Sequence, residues 1–160
     1  LVEAITMRYL FFSLLLVGFL LPSVASADDA TDEAIKKERK KIEGKWQIVE
    51  LVVNGNKSKD EDAAKLTVVN DARGTWSLWS GDSKITMGTS TFDPTTKPKT
   101  IDFTPSEGDA KGNRFLGIYR LGKNTRKLCF APSGKDRPTE FSSTAENQHI
   151  LVTFKRVQPE

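Results

Sequence analysis

Cys129 and His149 are the only thiol and the only imidazole in the chain, so covalent chemistry would have to start from them. They fall in segments that alternate like neighbouring strands, which brings a Cys–His pair within reach. A working nucleophile also needs an oriented base and an electropositive setting. Cys129 instead stands between Leu128 and Phe130, as a small strand residue does, and we read it as structural. Gly134-Lys135 lacks the upstream glycine of a phosphate loop, and Asp136 stands where Ser or Thr is needed. Asp28-Asp29 and Asp60-Glu61-Asp62 lack calcium-loop spacing. One His and one Cys do not make a zinc set. Carboxylates such as Asp102 and Glu140 find no pairing from sequence alone. No catalytic residue, metal ligand or cofactor is assigned.

The most unusual loop is the segment Pro132 to Gln148. It carries Lys135, Asp136, Arg137 and Glu140, then Phe141-Ser142-Ser143. Connections longer than about 12 residues without regular structure are often functional. We expect Phe141 to anchor this segment over the open or half-open mouth of the strand framework, with Arg137 as its polar tip. The anionic head of an amphiphile would then meet Arg137 and Lys135. The competing reading is a packed surface loop held by an Arg137–carboxylate bridge.

The elements that must position these residues follow from hydrophobic period. Asp28 to Glu43 reads as a short helical arm, with Thr31 as N-cap, Asp32 and Glu33 in the first turn, and Lys40 and Lys41 in the last. Its apolar face is Ala34, Ile35 and Ile42, a lid or plug for one end. Gly44 stops it. From there the period is two. Eight strands are predicted: Lys45–Val53, Lys65–Asn70, Thr75–Ser80, Lys84–Phe92, Lys99–Thr104, Asn113–Leu121, Arg126–Ala131 and His149–Val157. Between them stand turn residues such as Asn54-Gly55, Ser80-Gly81-Asp82 and Gly122-Lys123-Asn124. Short strands, regular turns and no internal helix predict an all-β, antiparallel, up-and-down eight-stranded barrel, whose closure removes sticky edges. A two-sheet sandwich is the competing arrangement. Trp46, Ile48 and Val52 share the inward face of the first strand, interrupted by Glu50; Ile150, Val152, Phe154 and Arg156 share that of the last. If the barrel closes, Arg156 lies across the indole of Trp46 at its closed end.

The ends and the charge narrow the setting. Met7-Arg8, the apolar run Tyr9 to Leu21 and Ala25-Ser26-Ala27 form a secretory signal over residues 1–27, with Leu1 to Thr6 as an over-extended start. Cleavage before Asp28 leaves an arm over 28–43, a barrel domain over 44–160 and no stable membrane anchor. The expected location is periplasmic or extracellular. With 24 basic against 21 acidic residues the net charge of +3 is small. The one dense basic run, Lys36 to Lys41, contains Glu38 and reads as a solvated helix face, so no nucleic-acid partner is expected. A single cysteine rules out an intramolecular disulfide.

From about Ile42 to Arg156 the chain resembles a family of small exported bacterial lipocalin-like domains of unknown function, expanded in planctomycetes. The residues that carry this are Gly44-x-Trp46, Asp93-Pro94-x-x-x-Pro98-Lys99-x-Ile101-Asp102, Leu116-Gly117-Ile118-Tyr119, and Leu128-Cys129-Phe130-Ala131-Pro132-x-Gly134-Lys135-x-Arg137-Pro138-x-x-Phe141. The resemblance implies a lipocalin-like barrel and export, with no established activity or cofactor. Three functions follow in order: a non-enzymatic barrel binding a small apolar or amphipathic ligand, a filled barrel acting as a protein-interaction or envelope-structural module, and an enzyme.

Overall fold

The computed structural model describes residues 27–158; the expected secretory signal, apart from Ala27, and the last two residues lie outside them. Helix α1 (Ala27–Ile42) leads into β1 (Gly44–Val53). A two-residue β2 (Asn56–Lys57) and a one-turn α2 (Asp60–Ala63) precede β3 (Leu66–Asn70), β4 (Thr75–Ser80), β5 (Ser83–Asp93), β6 (Lys99–Pro105), β7 (Phe115–Leu121), β8 (Thr125–Phe130) and β9 (Ile150–Arg156). Each long strand pairs antiparallel with the next, and β9 returns to β1, with Trp46 opposite Arg156 and Ile48 opposite Phe154. Eight long strands thus close an up-and-down barrel, and the sandwich is excluded. Among the described residues no helix is long and apolar enough to cross a membrane.

Connections alternate between two ends. One end holds α1 with the β3–β4, β5–β6 and β7–β8 turns; the other holds the longer β1–β3, β6–β7 and β8–β9 connections. Asn54 and Gly55 both have positive φ (53° and 79°), as the predicted tight turn requires. The β1–β3 connection differs from expectation, because α2 inserts a helical turn there and buries Ala63.

Helix α1 begins earlier than predicted. Asp28 and Asp29 occupy its acidic first turn and Arg39, Lys40 and Lys41 its basic last turn. Thr31 therefore lies within the helix and is not its cap. Ile35 and Ile42 pack onto the barrel end, as expected of a plug. The basic run is not a solvated face throughout. Glu38 is buried, with Lys99 Nζ at 2.5 Å, Lys41 Nζ at 3.2 Å and the Tyr119 hydroxyl donating to it at 3.3 Å. Arg39 lies over the Phe92 ring at 5.1 Å. Spacings of three and four residues put Ile35, Glu38 and Ile42 on one helical face, which is the reason.

Inward faces follow the predicted alternation with one exception. Registry between β1 and β9 shifts between Ile48 and Glu50, so one strand carries an extra residue. Past this bulge the phase inverts. Leu51 joins the core and Val52 turns outward against Ile118, Cys129 and Leu151. Glu50 accordingly faces outward and accepts a hydrogen bond from Thr153 Oγ1 at 3.0 Å. The inward assignment of Val52 is thereby corrected, and the interruption at Glu50 explained.

Candidate functional site

The closed end is solid. Trp46 is 0% exposed, and its indole Nε1 donates to the Ile42 carbonyl at 2.7 Å. The Arg156 guanidinium lies 4.2 Å from the indole centroid and donates to the carbonyls of Glu43, at 2.7 Å, and Lys41. The expected Trp46–Arg156 contact is therefore present, and through it β9 is bonded to the end of α1.

Above this floor the barrel is hollow. A cavity of about 560 Å³ runs from the floor to the β6–β7 connection. That volume falls within the range of about 300–1,000 Å³ common for small-molecule sites. Its walls are apolar: Leu51, Val68, Leu78, Ile101, Leu128 and Val152 each come from a different strand. An aromatic cluster stands on one side. Phe103 stacks on Phe115 at 4.6 Å and meets Trp76 and Phe130 edge-on at 5.5 Å and 4.6 Å. Gly117 makes room for it, because a Cβ there would overlap the Phe130 ring. The rim carries Glu107, Asp109 and an Ile85 side chain that is 52% exposed.

Two polar groups stand at the deep end. Arg126, on the inward face of β8, is 2% exposed yet borders the cavity. Its guanidinium lies 4.3 Å from the Phe154 ring centre and 4.9 Å from that of Trp46. No carboxylate pairs with it among the described residues, and its Nε–H has no hydrogen-bond partner. Burial, with the Arg156 charge added, pushes Arg126 down to about 9, which leaves it protonated at neutral pH. Asn70, the last residue of β3, is buried, borders the same cavity and leaves its Nδ2 without a partner. Sequence reasoning passed over both. The signal was present: Arg126 alternates with the apolar Leu128 and Phe130, and Asn70 with Leu66 and Val68.

The 132–148 connection departs from the end predicted for it but folds down the outer wall, away from the mouth. Phe141 packs against outward-facing Ile118, Cys129 and Leu151 and lies under Arg120, 4.9 Å from its guanidinium. Arg137 donates to Asp102 Oδ1 at 2.5 Å and to the Gly117 carbonyl at 2.6 Å. Arg114 takes the other oxygen of Asp102, also at 2.5 Å. Burial pushes the Asp102 carboxyl up, but the hydrogen bonds and charges of Arg137 and Arg114 outweigh this and hold it below the usual carboxylate range. Lys135 is exposed in the tight turn after Pro132. None of Arg137, Phe141 and Lys135 borders the cavity, so their assignment to its mouth is corrected. The reason is Asp102: an outward carboxylate on β6 captures the arginine, and the packed-loop alternative describes what is seen.

Cys129 and His149 do come together, with Sγ 3.8 Å from Nδ1, on this outer wall under the same connection. The thiol donates to the Ser142 carbonyl at 3.3 Å, and His149 Nδ1 approaches that oxygen at 3.2 Å. Burial pushes the Cys129 thiol up, the opposite of what activation requires. Among the described residues no group of three His, Cys, Asp or Glu side chains is placed to hold a metal ion. No family model, no curated protein and no solved structure matches the chain.

Proposed function

We propose that this protein is an exported, lipocalin-like carrier that takes a small apolar or amphipathic molecule into its barrel without transforming it. The observation that carries the reading is the hollow interior: a cavity of about 560 Å³, apolar along its walls and reached from one end. Burying an apolar ligand there gains roughly 25 cal/mol for each Å² removed from water. The wall needs little rearrangement to receive it, since a closed barrel holds its side chains in place. A filled barrel serving only as an interaction module is the weaker reading, because close-packed interiors leave few voids larger than a water molecule. Export is supported by the signal-like residues 1–27, and it puts the carrier in the periplasm or outside the cell.

The test is titration with the neutral apolar dye phenylnaphthylamine, followed by its displacement with dodecanol. Saturable, one-to-one enhancement of fluorescence that dodecanol reverses is the expected result. A dye signal that never saturates, or is absent, overturns the carrier reading.

A further inference from the structure

If the barrel is a carrier, on which this inference rests, its deep end specifies more than an apolar guest. Arg126 carries a full charge into an apolar chamber without a counter-ion among the described residues. The rings of Trp46 and Phe154 flank the guanidinium. Stacking of this kind stabilises the charge through the faces of the group. It does not use the in-plane N–H donors, of which a guanidinium has five, and Nε–H stays unpartnered. Asn70 adds a second unpartnered buried donor from another strand. Buried polar groups are nearly always satisfied, so two idle donors at the blind end of one cavity mark a place for an acceptor.

We propose that the barrel holds a single-chain amphiphile with a carboxylate head, seated head-inward so that the carboxylate meets Arg126 and Asn70 while the apolar tail runs toward the mouth. Charge sets the orientation. Asp109 stands at the rim and repels an anion there, whereas Glu107 beside it is paired with Lys84 at 3.7 Å, and among the described residues Arg126 is the one basic side chain on the cavity wall. A single cation beside a neutral amide matches one negative charge, and a planar guanidinium edge matches the two oxygens of a carboxylate. The head supplies the buried Arg126 with a hydrogen-bonded counter-ion, and the tail covers the aromatic cluster around Phe103.

The experiment compares dodecanoate, dodecanol and dodecyltrimethylammonium, three ligands with one tail, by displacement of phenylnaphthylamine from the intact barrel at neutral pH. Dodecanoate is expected to bind about tenfold to a hundredfold tighter than dodecanol, as for a hydrogen bond to a charged group, with the cation weakest. Arg126→Met should bring dodecanoate to within about threefold of dodecanol and leave dodecanol unchanged. Asn70→Leu should give a smaller loss, also confined to dodecanoate. Equal binding of dodecanoate and dodecanol by the parent protein overturns the head-inward carboxylate while sparing the carrier, and needs no variant. So does an Arg126→Met protein, folded by circular dichroism, that still prefers dodecanoate. Failure of all three ligands and of the dye overturns both.

Discussion

Replacing Arg137 by Met tests whether the long β8–β9 connection is clipped to the outer wall. The substitution keeps most of the side-chain stem and removes the guanidinium. Two short hydrogen bonds go with it, to Asp102 Oδ1 at 2.5 Å and to the Gly117 carbonyl at 2.6 Å. A hydrogen bond involving a charged group contributes about 1.5–3 kcal/mol. The Arg137 side chain is 30% exposed, so water screens part of this, and Asp102 keeps Arg114 as a partner. The loss should be about 2–4 kcal/mol. At about 3 °C per kcal/mol for a domain of this size, the melting temperature falls by about 6–12 °C. Two assays read it: calorimetric melting, and the rate of tryptic cleavage after Lys135, which rises as the connection lifts from the wall. Arg137→Lys should recover only part of the loss, since an ammonium cannot present the planar fork. A variant within about 0.5 kcal/mol of the parent, with cleavage at Lys135 no faster, would refute the reasoning and leave Phe141 as the anchor.

Four further outcomes are expected. Asp102 and Glu38 are both held below the usual carboxylate range; for Glu38, burial raises the pKa but the hydrogen bonds and charges of Lys99 and Lys41 outweigh it. A carboxylate with a depressed folded pKa contributes stability above about pH 4 that is lost as pH falls through its folded value, so urea unfolding of the parent should weaken below about pH 4 and that of Glu38→Gln should weaken less. Arg156→Lys keeps a cation but loses the stacked plane over Trp46, at about 0.5–2 kcal/mol in thermal unfolding. Val152→Trp projects into the hollow and should fold with near-parental stability while abolishing dye binding; overpacking of about 1–3 kcal/mol with binding retained would contradict the cavity. If residues 1–27 act as the proposed export signal, terminal sequencing of the mature protein should begin at Asp28.

The strand framework was legible because each strand obeys a local rule, period two between turn residues, and a local rule needs no knowledge of the rest of the chain. The contact between Trp46 and Arg156 was legible once closure was assumed, since both sit in phase at the ends of the two closing strands. What sequence missed depends on choices between distant partners. Nothing near Val49 announces that β1 gains a residue there and that Val52 is turned outward. Arg137 was expected at the mouth, but Asp102, 35 residues away, decides which wall it seeks. Glu38 looked solvated among lysines, although its helical spacing from Ile35 and Ile42 pointed to the barrel end. Arg126 was the most readable of the misses. Its phase was inward, and only the habit of placing charges outside passed over it.

The return of β9 to β1 also sets the order in which the chain can assemble. Every other pairing joins strands adjacent in sequence, apart from the short β2 excursion, whereas Arg156 meets the carbonyl of Glu43 across 113 residues. Closing a flexible loop of that length carries an entropy term of about 4 kcal/mol, compared with far less for a hairpin. The meander from β3 to β8 can therefore zip first, and the seam comes last. Until it forms, β1 and β9 are both open edges able to recruit a strand from another chain. The indole of Trp46, with its roof of α1, is consequently a reporter of the final step, and the barrel belongs with slow, non-local folders whose most exposed moment precedes a single closure.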